Sequence, residues 1–289
     1  MKKEFDDIRR LAADIRIQTI KQIANFGAGH IGGSMSIADV LAVLYGKIMK
    51  YDPQNPNMED RDLLVMSKGH CGPALYSTLA LKGFFPMEWL NTLNKGGTLL
   101  PSHCDRNKTP GIDATTGSLG QGISVACGFA QANAMKKKDI MTYCIVGDGE
   151  MQEGQVWEAV EFAAHRELDH FVVLVDYNKM QLDGYLKDIC NEYSIKEKLK
   201  AFGFDAVEVI GYDVEAVYEA LAQAKDNRNN GKPKAIILDT KKGMGYCFGE
   251  KADKCHHMNI SPEQAEEAIK VVEDRLLQGL TPGGERYAD

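Results

Sequence analysis

Apolar residues along the chain follow two patterns, one typical of amphipathic helices and one typical of buried strands. From Ile8 to Ile23 apolar positions recur every three or four residues, which predicts a helix that ends near Gly27. Similar spacing predicts further helices at about 36–49, 72–81, 155–165 and 262–277. Short continuous apolar runs predict strands at 63–66, 143–146, 171–175 and 235–238.

The alternation of these strands and helices indicates the fold class. Strands that are apolar at every position are buried on both faces, which is typical of parallel strands covered by helices. We therefore expect an α/β fold of three layers, with a mainly parallel sheet flanked by helices. Since no linker or repeat interrupts the pattern, we expect one domain over 1–280 and a C-terminal tail over 281–289.

Composition and charge argue against several classes of protein. The formal net charge is −7, and only the run at 136–138 is basic, so a nucleic-acid-binding surface is not favoured. The sequence lacks both an 18-residue apolar window and an apolar signal core, so we expect a cytoplasmic protein without a membrane partner. The seven scattered cysteines fit reduced thiols, most of them buried.

One glycine motif is similar to a dinucleotide-binding fingerprint, but the secondary structure predicted before it is not the one that the fingerprint requires. Gly27, Gly29 and Gly32 fit the pattern G-x-G-x-x-G. That fingerprint requires a strand directly before its first glycine, whereas the apolar spacing here predicts a helix. A nicotinamide or flavin site is therefore not favoured.

The strongest candidate for a functional site is a pair of polar residues, each of which directly follows a predicted strand. Asp148 lies in the tripeptide GDG after the strand at 143–146, and Asn178 follows 30 residues later, after the next strand. Alone, GDG is typical of a tight turn. Because parallel strands end at one edge of a sheet, however, the two side chains should meet there. Their oxygens, with the Met180 carbonyl, suit Mg²⁺, and Gly149 lets the backbone approach a phosphate.

At this point the sequence resembles the thiamine diphosphate enzymes, in which Asn follows GDG by about thirty residues. Further motifs narrow the resemblance to the N-terminal, cofactor-binding domain of transketolase, and they cover most of the chain. These motifs are His30 in GAGHIGGS, His70 in SKGH, His103 in PSHCD and the segment TTGSLGQG at 115–122.

The resemblance implies thiamine diphosphate as cofactor and a role for each matching residue. The implied metal ligands, for Mg²⁺ or alternatively Ca²⁺ or Mn²⁺, are Asp148, Asn178 and the main-chain oxygen of Met180. His30 and His103 are implied to bind sugar hydroxyls and assist proton transfer. The implied cofactor-binding residues are His70, Gly117, Leu119, Gly149, Glu153, Asn178 and His257.

Two of these assignments leave alternatives open. Glu153 matches an acidic residue of the dimer interface, but a solvated glutamate at a helix start is an equally good interpretation. The family usually has a histidine near the segment that contains His256 and His257; we favour His257, as a catalytic and cofactor-binding residue. A zinc site at Cys255 is not favoured, because Cys247 is poorly spaced from it.

The resemblance also implies a partner. In transketolases the glutamate that activates the cofactor belongs to a pyrimidine-binding domain, for which this sequence is too short. We therefore expect the N-terminal subunit of a split transketolase, active only in an α2β2 assembly with a C-terminal subunit. It would transfer a two-carbon ketol unit between sugar phosphates, with ordinary pentose phosphates, branched sugars and sulfonated sugars all open. The alternatives are another thiamine enzyme half, similar to deoxyxylulose-phosphate synthase or to a 2-oxo acid dehydrogenase α-subunit, and a noncatalytic cofactor-binding subunit.

Overall fold

A five-stranded parallel sheet forms the centre of the molecule. The computed structural model describes residues 2–191 and 193–287. The strands are β1 (Ala28–Gly29), β2 (Leu63–Met66), β3 (Thr142–Gly147), β4 (Phe171–Tyr177), β5 (Asp205–Ile210), β6 (Lys234–Asp239) and β7 (Met258–Asn259). The order in the main sheet is β2-β3-β4-β6-β5, and the short β1 and β7 form a separate antiparallel pair.

Helices connect and cover the strands. They are α1 (Asp6–Phe26), α2 (Gly32–Met35), α3 (Ala38–Val43), α4 (Gly72–Leu81), α5 (Gln121–Met135), α6 (Gly154–His165), α7 (Leu186–Ile189), α8 (Ile195–Ala201), α9 (Val214–Asp226), α10 (Cys247–Glu250) and α11 (Pro262–Leu277). A π-helical turn, Leu44–Ile48, follows α3.

Alternate side chains of the sheet enter two separate hydrophobic cores. Tyr143 and Leu174 belong to the core under α1, α3, α4, α9 and α11, whereas Cys144 and Val173 belong to the core under α5, α6 and α8. Strands β3, β4 and β6 are buried on both faces, which is why each of them contains a continuous apolar run. The predicted α/β fold, three layers with a parallel sheet, is confirmed.

The first helix ends where the sequence predicts. Gly27, at the end of α1, has φ +100°, a left-handed conformation that glycine adopts without steric cost. A helix therefore precedes the G-x-G-x-x-G pattern. The helix predicted over 36–49 is interrupted after Val43 by the π-helical turn. Gly46 lies in that turn, where a Cβ would stand 2.4 Å from Ile8 Cδ1. The absence of a side chain at Gly46 therefore lets α1 pack directly on the turn.

The sequence pattern did not reveal β5. This strand forms the edge of the sheet, and both Val207 and Glu208 on it are exposed. An edge strand with few buried positions lacks the continuous apolar run that marked its neighbours.

The C-terminal segment packs against the rest of the domain over its described residues, which end at 287. A capping box starts α11: Gln264 N–H donates to Ser261 Oγ at 3.2 Å, and Ser261 N–H donates to Gln264 Oε1 at 3.0 Å. Farther on, Thr281 is buried and the Arg275 guanidinium donates to the Pro282 carbonyl. The boundary at residue 280 stays a prediction, and residues 288–289 lie outside the described part.

The structure bears on the expectations about membrane-spanning helices and about the cysteines. Within 2–191 and 193–287, no helix combines the length and the apolar character needed to cross a membrane. All seven cysteines are free thiols. Six of them are buried, which agrees with the expectation that most are buried, and Cys190 is exposed.

Candidate functional site

A cavity of about 360 Å³ opens at the carboxyl edge of the sheet. Of the residues predicted for the site, its lining includes His30, His70, His103, Gly117, Leu119, Asp148, Gly149, Glu153, Asn178 and Met180. Only His257 of the predicted set is absent from it. A larger cavity of about 510 Å³ lies near the amino ends of β3 and β4, at Asp139 and His170, but contains none of the predicted residues.

Strand register explains why Asp148 and Asn178 meet. Gly147 of β3 pairs with Asp176 of β4, so the residues that follow them leave the sheet side by side. Asp148 Oδ1 accepts from Gly149 N–H at 2.8 Å, and Oδ2 accepts from Lys179 N–H at 2.5 Å. The loop after β4 therefore holds the carboxylate after β3 in place.

The three predicted metal ligands present oxygen atoms of the kind that Mg²⁺ prefers. Burial, together with the nearby Asp176 carboxylate, raises the pKa of Asp148 to about 7. A divalent cation would stabilise the charged form that burial disfavours. Within the described ranges no three His, Cys, Asp or Glu side chains form a metal-holding group. The proposed set has one such side chain, Asp148, and its other two donors are an amide oxygen and a main-chain carbonyl oxygen. All three are oxygen donors, which suits a hard cation such as Mg²⁺.

Asp176, which sequence reasoning missed, organises the floor of the cavity. Its fully buried carboxylate accepts from Ser36 Oγ at 2.7 Å, Lys68 Nζ at 2.6 Å, Asn178 Nδ2 at 2.7 Å and Thr240 Oγ1 at 2.6 Å. Burial disfavours the charged carboxylate, but Lys68 and these donors hold its pKa below the usual value. The bond to Asn178 orients the amide so that its oxygen is directed away from Asp176.

Two buried lysines bring positive charge to the cavity, and the sequence analysis missed both. Lys68 follows β2 by two residues; burial lowers its pKa, but Asp176 outweighs this and raises it to about 12. Lys242 follows β6 by three residues, and burial lowers its pKa. Lys242 Nζ donates to the Met180 carbonyl at 2.9 Å. The signal in the sequence was a lysine just after two strand ends, where an anionic ligand of a parallel sheet would bind.

Glu150, also missed, joins the loops around the GDG turn. One of its buried carboxylate oxygens accepts from Gly120 N–H at 2.9 Å and the other from Gly147 N–H at 3.0 Å. The side chain therefore connects the end of β3 with the start of α5. Burial raises its pKa.

The predicted histidines form one cluster centred on His30. Its ring centroid lies 5.5 Å from those of His70 and His103, 5.2 Å from that of His256 and 4.9 Å from that of His257. Burial lowers the pKa of His30 to about 4, and His257, His103 and Lys242 add to this effect. At neutral pH a neutral imidazole offers one donor and one acceptor, which suits contacts with hydroxyl and phosphate oxygens.

The structure separates the two adjacent histidine candidates. His256 lines the cavity 4.8 Å, centroid to centroid, from His70, and burial lowers its pKa to about 3. His257, which the sequence analysis favoured, is exposed and contacts the cluster through His30. The geometry therefore favours His256 as the residue that faces a ligand.

The remaining predicted residues lie around the cavity wall. A Cβ at Gly117 would stand 3.3 Å from His103 Cδ2, so the missing side chain makes room for that imidazole. Leu119 is 37% exposed. Glu153 is the exposed residue before α6, and its side chain makes no capping hydrogen bond to that helix.

Comparison with known proteins agrees with this geometry. Residues 8–275 match the family model described as transketolase, thiamine diphosphate binding domain. The chain belongs to the transketolase family. It is 48% identical, over 273 residues, to the 6-deoxy-6-sulfo-D-fructose transketolase subunit SqwG of Clostridium sp. (strain MSTE9). The aligned region covers 94% of this chain and 98% of that protein.

The chain is also similar to other transketolases, both in sequence and in structure. An apulose-4-phosphate transketolase subunit of Phocaeicola vulgatus is 39% identical over 249 residues, 86% of this chain and 88% of that protein. The solved transketolase from Leishmania mexicana superposes with a TM-score of 0.85 at 33% identity. The match covers 98% of this chain but 42% of the Leishmania protein, so this chain spans less than half of that transketolase.

Proposed function

We propose that this chain is the thiamine diphosphate-binding subunit of a two-subunit transketolase. Together with a C-terminal partner it would transfer a two-carbon ketol unit from a ketose to an aldose. The observation that supports this most is a single cavity that brings Asp148 and Asn178 together with four histidines. The noncatalytic alternative does not require such a cluster of neutral imidazoles beside the cation ligands.

In the proposed holoenzyme, Asp148, Asn178 and the Met180 carbonyl hold Mg²⁺. Lys68 and Lys242 supply the positive charge that a diphosphate requires. Thiamine diphosphate, when bound, supplies a thiazolium ring that can stabilise a carbanion. His30 and His103 hold hydroxyl groups of the two-carbon unit and exchange protons with them, which neutral imidazoles can do near neutral pH.

The partner in this proposal carries the pyrimidine-binding domain and its activating carboxylate, in an α2β2 assembly. Support comes from the relatives, since SqwG and the Phocaeicola protein are each named as one subunit of a transketolase. Their names also suggest the donor: a ketose with a phosphate or sulfonate at its far end. An open depression of about 410 Å³, lined by Ser102 next to His103 and by Lys95 and Lys108, could receive such an anion.

The test is reconstitution. The chain, a C-terminal transketolase subunit from the same organism, and their mixture are each assayed for ketol transfer with phosphorylated and sulfonated ketoses. Cofactor binding is followed by calorimetry. We expect turnover by the mixture alone. Turnover by the isolated chain would contradict the need for a partner, and products from pyruvate would favour another thiamine enzyme. Cofactor binding without turnover on any sugar would favour the noncatalytic subunit.

A further inference from the structure

Gln181 presents a buried acceptor that the described residues leave without a hydrogen bond. Its side chain lines the cavity, and its Oε1 atom is shielded from solvent. Burying a polar atom without a partner is costly, and such atoms in folded proteins usually meet a ligand, an ion or a bound water. Oε1 therefore lacks a donor, and the adjoining cavity is the place from which a bound group would supply one.

The backbone holds Gln181 against the proposed cation site from two sides. It begins a tight hairpin in which its N–H donates to the Gly184 carbonyl at 3.0 Å, while Met180 and Tyr185 form a β-bridge. Gly149 packs directly against Gln181, since a Cβ at Gly149 would stand 2.9 Å from Gln181 Cβ. The glutamine therefore lies between the Met180 carbonyl and the GDG turn.

Neither cationic side chain of the cavity donates to Gln181 Oε1 in the described structure. Lys68 Nζ donates to Asp176 and to the Gly33 carbonyl, and Lys242 Nζ donates to the Met180 carbonyl. A diphosphate presents acceptors, so it cannot satisfy Oε1. A hydrated Mg²⁺ can, because this cation usually keeps several of its waters, each of which is a donor.

We propose that Gln181 Oε1 accepts a hydrogen bond from a water bound to the cation held by Asp148, Asn178 and the Met180 carbonyl. The inference rests on the proposed function. It makes Gln181 a positioning residue that orients the hydration shell of the cation and raises its affinity. Groups that support metal ligands in this way commonly change affinity ten- to a hundredfold when they are removed.

The test uses the full chain with thiamine diphosphate and follows Mn²⁺ binding by electron paramagnetic resonance. Gln181→Leu removes the acceptor, and Gln181→Glu retains one. Gln152→Leu is the matched control, since the Gln152 amide already donates to the Cys190 carbonyl at 3.1 Å. We expect Gln181→Leu to weaken Mn²⁺ binding about tenfold or more. Gln181→Glu should bind Mn²⁺ at least as well as the parent chain, and Gln152→Leu should stay within about twofold.

The other outcomes overturn the inference in distinguishable ways. Unchanged Mn²⁺ affinity in Gln181→Leu removes the proposed role. Equal losses in Gln181→Leu and Gln181→Glu, with weaker thiamine diphosphate binding in both, would mean that the amide donates to the diphosphate instead. If neither the parent chain nor its mixture with the C-terminal subunit binds Mn²⁺ and thiamine diphosphate, the proposed function itself fails, and the inference with it. Thermal denaturation without metal verifies that each variant is folded.

Discussion

Lys68 Nζ and Asp176 Oδ2 lie 2.6 Å apart in a buried ion pair under the cavity. The two side chains are 2% and 0% exposed, and they join the segment after β2 to the end of β4. Because Asp176 also binds Asn178, the same carboxylate couples the core to a proposed metal ligand. Stability and cofactor binding should therefore depend on one pair of charges.

Replacing Asp176 by Asn should destabilise the fold, because Lys68 then keeps a buried charge without its counter-ion. We expect the free energy of unfolding to fall by about 3–5 kcal/mol in urea denaturation. Asp239→Asn is the matched control, since Asp239 pairs with Lys179 where both side chains are more than 40% exposed. That change should cost less than about 1 kcal/mol. Similar losses in the two variants would disprove a special role for the buried pair.

Asp148→Asn should separate ligand binding from folding. Burial and Asp176 make the charged carboxylate unfavourable, but Asn can accept from only one of the two backbone N–H groups that Asp148 binds. Because these effects oppose each other, the metal-free variant should melt within about 4 °C of the parent chain. The rise in melting temperature caused by Mg²⁺ and thiamine diphosphate should disappear. Asp183→Asn, at an exposed position of the neighbouring hairpin, should retain that rise. A rise that persists in Asp148→Asn would exclude Asp148 as a metal ligand.

Stability should fall in acid partly through His30. Its folded-state pKa is lowered to about 4, against an ordinary value of about 6.5. Between these values the unfolded chain binds a proton that folded His30 does not, so stability decreases as pH falls from about 6.5 to about 4. Urea denaturation at pH 7 and pH 5 should show a smaller decrease for His30→Gln than for the parent chain. His165→Gln, at an exposed position of α6, should match the parent, and an identical decrease in His30→Gln would contradict the assignment.

His103→Ala should impair turnover more than cofactor binding. His103 packs against Gly117 and His30 on the cavity wall and is not one of the proposed cation ligands. In our proposal its imidazole holds hydroxyl groups of the substrate. In the reconstituted enzyme kcat should drop about a hundredfold or more, as for loss of a general acid or base. Calorimetry should give nearly unchanged affinities for thiamine diphosphate and Mg²⁺. If both affinities fell with kcat, His103 would be a cofactor-binding residue.

The two adjacent histidines should respond differently to removal. His256 lines the cavity beside His70, whereas His257 is exposed. We expect His256→Ala to weaken thiamine diphosphate binding or lower kcat by at least about tenfold, and His257→Ala to change either by less than about threefold. Calorimetry and steady-state kinetics on the two variants measure this difference. A larger effect at His257 would restore the choice made from the sequence.

Periodicity in the sequence predicts four of the five strands of the main sheet and the helices α1, α4, α6 and α11, but helices α5, α8 and α9 were not predicted. The central strands β3, β4 and β6 contain continuous apolar runs because both of their faces are buried, and this signal is strong in a single sequence. The sequence pattern did not predict β5, because it is an edge strand. The helix predicted over 36–49 is interrupted by a π-helical turn, in which Gly46 packs against a distant residue, Ile8. Contacts of that kind leave no local periodicity.

The sequence by itself determined that Asp148 and Asn178 share one edge of a parallel sheet, because strand direction is implied by the alternation of strands and helices. Only the tertiary structure decided which of two adjacent histidines faces the cavity and that Lys68, Lys242 and Gln181 line it. It also placed Asp176 behind that lining, where its carboxylate binds Lys68 and Asn178. Neighbouring residues in an irregular loop have no period that distinguishes them. A buried charge or amide acquires its role from the groups packed against it, and those groups come from segments far apart in the chain.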